Sequence, residues 1–382
     1  MDFDLSNEQQ LLKESVDRLM ADRYDFASRK KFQASPDGWS RELWKAYADL
    51  GILGLPFAEA DGGFGGGPAE TMLVMEALGR ALALEPYFAS VILAGGVLRH
   101  GASPAQRERL IPAIASGEQV FALAHSEPQS RYNLHDVAVT ARRDGAGFVL
   151  DGDKALVLHG DSADTLIVSA RTGGAQRDRA GIGLFLVAAG APGVARRGYP
   201  TQDGARAAEI TLTGVRVGPE DVVGDPAGAA PVIERVADEA IAALCAEAVG
   251  AMDEALSETV AYMKTRKQFG TTIGSFQALQ HRASDMVVAL EQARSMATFA
   301  AMMASEDNAA ERAKAMSAAK IQIGQSGRQI GQQAVQLYGG MGMTMETKIG
   351  HLFKRLAMIE RQFGDIDHHV DALAKTEGFF AA

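Results

Sequence analysis

TLIVSARTGGAQRDRAGIGLFLV, Thr165 to Val187, decides the architecture of the middle of this chain. It holds two runs of apolar and β-branched residues, TLIVSA and GIGLFLV, around a polar, glycine-containing connection. Each run has the length and composition of a strand, and the connection between them shows no helical periodicity. Working outward, AEITLTGVRV (Ala208 to Val217) is a third such run. On the other side, Val137 and Val139 face Phe148, Val149 and Leu150 across RDGAG (Arg143 to Gly147), which suits a hairpin. Strands follow strands without intervening helices, so the pattern predicts an antiparallel sheet or barrel, not a parallel nucleotide-binding fold.

Beyond this stretch the periodicity changes on both sides. From Ser6 to about Ser116 the chain reads as helix. Ser6 and Gln9 have capping-box spacing, and Leu11, Leu12, Val16, Leu19 and Met20 mark an apolar stripe. Trp44, Tyr47 and Leu50, then Met72, Met75, Leu78 and Leu82, continue it. DGGFGGG (Asp61 to Gly67) lacks a preceding strand and reads as a plain connection. From Pro231 to about Ala374 long alanine- and methionine-rich helices predict a bundle. The expected division is a helical domain over 1–119, a β domain over 120–230 and a helix bundle over 231–382.

Composition narrows the function classes. A chain of 382 residues, 47% hydrophobic and 23% charged, is ordinary for a globular protein with two or three domains. Its net charge of −10 argues against binding a nucleic-acid backbone. The single cysteine, Cys245, excludes an intrachain disulfide and a cysteine metal cluster, and its alanine-rich surroundings read as a buried helix. The polar start MDFDLSNEQQ is unlike a signal peptide, and no apolar run is long enough to span a bilayer. The expected location is the cytoplasm.

Four segments then resemble one family. LGILGLPFAEADGGFGG from Leu50, FALAHSEP from Phe121, RKQFGTTIGSFQALQ from Arg266 and QLYGGMG from Gln336 are similar, in order and spacing, to motifs of the acyl-CoA dehydrogenases. SEPQSRYN and FGDIDHH are most similar to small subunits of two-gene dehydrogenases such as pimeloyl-CoA dehydrogenase. The resemblance implies a helical N-terminal domain, an antiparallel β domain, a C-terminal four-helix bundle and FAD as cofactor. It implies α,β-dehydrogenation of an acyl-CoA thioester. A carboxylate takes the α-proton, the flavin accepts hydride, and electrons leave through an electron-transfer flavoprotein.

The family's site residues carry over position by position. Arg266 and Gln277, with Phe269 nearby, match residues that approach FAD held by a neighbouring subunit. An arginine fork suits a pyrophosphate. Gln336, Gly339 and Gly340 match a second contact across the same interface, where glycine lets backbone come close. Phe121, Leu123 and Ser126 match the lining of the isoalloxazine pocket. On local grounds alone, Arg266 reads equally as a surface residue at a helix end, the glycines as a helix stop, and Ser126 as a solvent-facing strand serine.

Several positions depart from the family. Tyr132 replaces a small hydroxyl residue that meets the pantetheine arm, while Leu156 and Leu158 replace flavin contacts within KALVLHG (Lys154 to Gly160). Phe363, in QFGDID, occupies the position of the usual base and takes no proton. The alternative base position falls on Ala240, and the neighbouring substrate-guiding arginine becomes Ile241, although Asp238 keeps an acid expected near coenzyme A. Glu239, Glu247 and Asp365 are the local substitutes. Glu247 lies two helical turns past Ala240 on roughly the same face, where partial burial raises a carboxyl pKa. Asp365 and His369 have metal-ligand spacing, but no third ligand is evident, and the expectation is no metal.

Contacts made across an interface are kept while those within the chain's own site are eroded. The leading expectation is therefore the small, non-catalytic subunit of a heteromeric dehydrogenase, completing the FAD site of a larger chain. Two alternatives stay open, a self-sufficient homodimer or homotetramer with Glu247 or Glu239 as base, and a non-redox scaffolding paralogue.

Overall fold

A computed structural model describes residues 5–376. Six helices come first: α1 (Asn7–Arg23), α2 (Phe26–Gln33), α3 (Arg41–Asp49), α4 (Pro68–Ala81), α5 (Gly95–Gly101) and α6 (Pro104–Ala115), with a π-helical stretch, Phe88–Ala94, leading into α5. The expected capping box at Ser6 and Gln9 starts α1. Its stripe buries Val16 and Met20 but leaves Leu11 64% exposed. Ser103 and Gln106 form a second capping box on α6.

The sheet comprises β1 (Phe121–Ala124), β2 (Thr140–Asp144), β3 (Gly147–Leu158), β4 (Thr165–Arg171), β5 (Ile182–Ala188), β6 (Val194–Pro200), β7 (Arg206–Val217) and β8 (Val222–Val223). Its order is β6-β7-β3-β2-β4-β5-β8, with β1 also on β4. The β2–β3 hairpin pairs Asp144 with Gly147 around Gly145, whose φ of 60° a tight two-residue turn requires. β4 and β5, the two opening runs, pair antiparallel from Thr165–Ala188 to Arg171–Ile182. One expectation needs correction: the sheet is mixed. β1 runs parallel to β4, and β2 meets β4 in parallel at Thr140–Arg171. The chain reaches β4 from β1 through a long excursion that includes β2 and β3, so a parallel pairing needs no crossover helix. Leu150, Val157, Leu166, Val168, Phe185 and Ile210 build the sheet's core.

The C-terminal helices are α7 (Ala230–Thr265), α8 (Gln277–Met303), α9 (Ala309–Tyr338), α10 (Lys348–Arg361) and α11 (Ile366–Ala374). Two short strands, β9 (Lys267–Gln268) and β10 (Thr271–Thr272), form a hairpin between α7 and α8.

The chain gathers into two compact units that do not follow chain order. The first comprises Met1–Lys31, Pro68–Ala83 and Ile241–Ala382, and the second Phe32–Gly67 and Leu84–Ala240. In the first, α9 packs against α8, α10 and α11, and α1 against α4. α4 and α7 touch backbone to backbone. A Cβ on Gly79 would lie 2.0 Å from the Glu247 carbonyl oxygen, and one on Gly250 would lie 1.9 Å from that of Glu76. Only glycine permits this reciprocal approach.

Candidate functional site

The expected site residues fall in different units and are described separately. In the first unit, α7 ends at Thr265 and the chain turns through the β9–β10 hairpin into α8. Arg266, Gln277 and Gln336 are exposed, and their side chains have no hydrogen-bond partner among the described residues. Phe269, at the hairpin tip with φ 55°, is 91% exposed and lies edge-on to Phe276, 6.2 Å away between centroids. At the end of α9, Gly339 has φ 60° and ψ −143°, a conformation essentially reserved for glycine. A Cβ on Gly339 or Gly340 would meet nothing within 4 Å, so the backbone there is open to an incoming group. An unpaired guanidinium and an exposed diglycine turn are what a dinucleotide's charged phosphates need.

Exposed apolar residues cluster in sequence around these segments. Met341, Met343 and Met345 are 46%, 77% and 50% exposed, and the first turns of α8 have almost no buried side chain. Leaving large apolar groups such as Phe269 in water is unfavourable, and contiguous ones mark a surface built for association.

In the second unit, the segment after β1 is pinned from below. The Lys154 ammonium, with no exposed side-chain surface, donates to Glu127 Oε1 at 2.6 Å, Ser169 Oγ at 2.9 Å and the His125 carbonyl at 3.1 Å. The Glu127 carboxylate also accepts from the Ala138 and Val139 amides. Burial lowers the Lys154 pKa to about 8, against the opposing pull of Glu127. The result holds Ser126, which is exposed and lies just past β1 rather than on a strand. Leu123 is half-buried. Phe121 is a correction: with no accessible surface, it belongs to the core and offers no face to a flavin. Leu156 is exposed with φ 52° beside a register shift in β3, and Leu158 is half-buried. Tyr132 is half-buried in the following loop.

The substitute carboxylates are all engaged. Glu247 is buried and paired rather than poised as a base. The Arg355 guanidinium from α10 donates to both its oxygens, Nε to Oε1 at 2.5 Å and Nη2 to Oε2 at 2.7 Å. Glu239 accepts from Arg99 at 2.5 Å, from His100 Nε2 at 2.8 Å and from Arg235 at 3.1 Å. Against the burial of its carboxyl, the His100 hydrogen bond and the Arg99 charge hold its pKa at about 2. Asp365 is the N-cap of α11, accepting from the His368 amide. Neither a carboxyl with a pKa near 2 nor a carboxylate clasped by one guanidinium suits a general base working near neutrality. Ala240 and Ile241 are buried, and Asp238 is 9% exposed.

Phe363, with φ 57°, is half-buried in the turn between α10 and α11. Lys320 of α9, 1% exposed, donates to the carbonyls of Ile359, Glu360 and Gly364. His369 completes the clamp. Its Nε2 lies 3.1 Å from the Phe363 carbonyl and its Nδ1 3.1 Å from Ser317 Oγ, so the ring donates through Nε2 and accepts at Nδ1. Burial, then the Lys320 charge, lowers its pKa to about 3. Its role is structural hydrogen bonding, and among the described residues no cluster of three or more His, Cys, Asp or Glu could hold a metal. Cys245 is fully buried, as expected. No described helix is long and apolar enough to cross a membrane.

With this geometry in place, comparison with known proteins settles the class. Residues 6–118, 122–215 and 228–377 match the acyl-CoA dehydrogenase N-terminal, middle and C-terminal domains respectively. The chain belongs to the acyl-CoA dehydrogenase family. A mitochondrial isovaleryl-CoA dehydrogenase of Oryza sativa subsp. japonica is 31% identical over 324 residues, covering 83% of this chain and 78% of the relative. The ChsE4–ChsE5 complex of Mycobacterium tuberculosis is similar in structure with a TM-score of 0.87 and 26% identity, covering 98% of this chain and 100% of that one. An FAD complex of PigA is similar with a TM-score of 0.89 and 25% identity, covering 98% of both chains.

Proposed function

We propose that this chain is the non-catalytic subunit of a heteromeric, FAD-dependent acyl-CoA dehydrogenase, and that its bundle completes the FAD site of a second dehydrogenase chain. One contrast carries the reading. Arg266, Gln277, Gln336, Gly339 and Gly340 are exposed, and the first three have no side-chain hydrogen-bond partner among the described residues, while the three candidate carboxylates Glu247, Glu239 and Asp365 are already committed. The similarity to a two-component complex and to an FAD complex supports both halves of the proposal.

FAD, when bound, supplies the hydride acceptor. This chain's residues supply the rest. Arg266 offers two parallel N–H groups to diphosphate oxygens, a geometry that lysine lacks. Gly339 and Gly340 offer backbone without a Cβ in the way. Phe269, Met341, Met343 and Met345 exclude water when a second chain covers them. The partner supplies the base, because Phe363 carries no ionisable group. The substrate class is an acyl-CoA thioester, with pimeloyl-CoA or another medium-chain dicarboxylic acyl-CoA the specific candidate, and an electron-transfer flavoprotein the acceptor. Purified alone, the chain should not oxidise acyl-CoA thioesters. Robust turnover by the isolated chain with bound FAD would overturn the assignment in favour of a self-sufficient homo-oligomer, and failure to take up FAD in any assembly would leave a scaffold.

A further inference from the structure

The arginine hairpin and the diglycine turn are separated by more than sixty residues of sequence, yet one contact ties them together. Tyr262, in the last turn of α7, lies flat on Tyr338, the last residue of α9, with ring centroids 4.1 Å apart and an interplanar angle of 12°. Each ring adjoins one arm of the proposed dinucleotide cradle. The Arg266 amide bonds to the Tyr262 carbonyl at 2.8 Å, and Gly339 directly follows Tyr338. The Tyr338 hydroxyl donates to the Glu258 carbonyl and to Glu258 Oε2, both at 3.2 Å, one turn back along α7. Burial, then the Glu258 charge, raises the Tyr338 pKa, so the phenol keeps its proton and remains a donor.

We propose that Tyr262 and Tyr338 are positioning residues that lock the Arg266 hairpin and the Gly339–Gly340 turn into a single preformed cradle for a diphosphate. The inference rests on the dinucleotide reading above and adds how the site is held before ligand arrives. The Arg266 side chain has no hydrogen-bond partner among the described residues, and the side-chain bonds that order each arm, Ser275 Oγ to the Thr272 carbonyl in one and Thr344 and Thr347 Oγ1 to the Met341 carbonyl in the other, stay within that arm. A stacked pair anchored to Glu258 joins the two arms at their roots. The stack and the hydroxyl's hydrogen bonds act together on the Tyr338 ring. Pre-ordering raises affinity by removing the cost of immobilising the arms on binding.

The test uses the full chain and four variants: Tyr338→Leu, Tyr262→Leu, Tyr262→Phe and Arg266→Ala. Tyr262→Leu removes the stack from the half-buried side and serves if Tyr338→Leu does not fold. Amide hydrogen exchange across residues 266–273 and 339–343 is read without ligand. FAD affinity is read by flavin fluorescence on the chain assembled with its dehydrogenase partner, and overall integrity by thermal melting. Both leucine variants should speed exchange in both segments together and weaken FAD binding about tenfold, as the loss of one aromatic pair implies. Tyr262→Phe, which keeps a stackable ring, should behave as wild type. The proposal fails if a leucine variant speeds exchange only in the segment it adjoins. It also fails if FAD affinity is unchanged by the leucine variants while Arg266→Ala weakens it. Should Arg266→Ala leave FAD affinity intact, the dinucleotide reading fails, and coupled exchange still decides whether the stack joins the arms.

Discussion

Substituting Glu247 with glutamine separates a structural acid from a catalytic one. Both partners of the Glu247–Arg355 pair are shielded, with 9% and 15% of their side chains exposed, so solvent screens the attraction only partly. Removing one member of a buried pair costs ~3–5 kcal/mol. Glutamine keeps the size and one acceptor oxygen, and Arg355 retains some access to water, which places the expected loss at the low end, about 3 kcal/mol. That is a factor of about 150 in the folding equilibrium of the unit concerned. Urea unfolding followed by circular dichroism should show it, and Glu247→Gln/Arg355→Met should recover part of it, since an uncharged pair strands no buried charge. Acyl-CoA oxidation by the assembled enzyme should survive wherever the protein is folded. A Glu247→Gln protein as stable as wild type but devoid of turnover would refute the reasoning and make Glu247 the base.

Gly250→Ala should be severely destabilising, about 3 kcal/mol in chemical denaturation, because its Cβ would sit 1.9 Å from the Glu76 carbonyl oxygen and force α4 and α7 apart. Acid should weaken the fold through His369. Its folded pKa of about 3 lies below the ordinary 6.5, so between those values the unfolded chain binds more protons, and stability is full above pH 6.5 and falls with pH down to about 3. At pH 5 the loss is ~2 kcal/mol, and His369→Gln should flatten the stability profile by that amount. Gly339→Ala should lower the melting temperature by a few degrees and weaken FAD binding in the assembled enzyme, measured by flavin fluorescence, because this conformation strains any residue with a Cβ by about 1–3 kcal/mol although nothing crowds the new methyl.

Much of the architecture was legible because periodicity reports local burial. The two opening runs became β4 and β5, the Ser6–Gln9 capping box and the long C-terminal helices formed where the sequence places them, and the hairpin closed on Gly145. β6 was not legible. VARRGYP is an exposed edge strand whose arginines, glycine and proline break the alternation on which recognition depends. Nor does periodicity reveal that α1 and α4 gather with the C-terminal helices, because that depends on how closely Gly79 and Gly250 let residues far along the chain approach. The carboxylates show the same limit more sharply. The partners of Glu247 and Glu239 are not legible, because the guanidinium groups lie 108 and 140 residues away and spacing carries no trace of either. Phe121 misled for another reason: its motif position suggests a pocket, but strand burial takes it into the core. The Lys154–Glu127 pair left little signal, because Lys154 follows Asp151, Gly152 and Asp153 in β3 and reads as one more polar residue of that strand although it is buried.

The decisive measurement is the structure of this chain assembled with an FAD-loaded dehydrogenase partner. The account predicts Arg266 within hydrogen-bonding distance of the diphosphate oxygens of an FAD bound by the other chain, with Gly339 and Gly340 against the same dinucleotide. Arg266 in bulk solvent, remote from any partner's flavin, would contradict it.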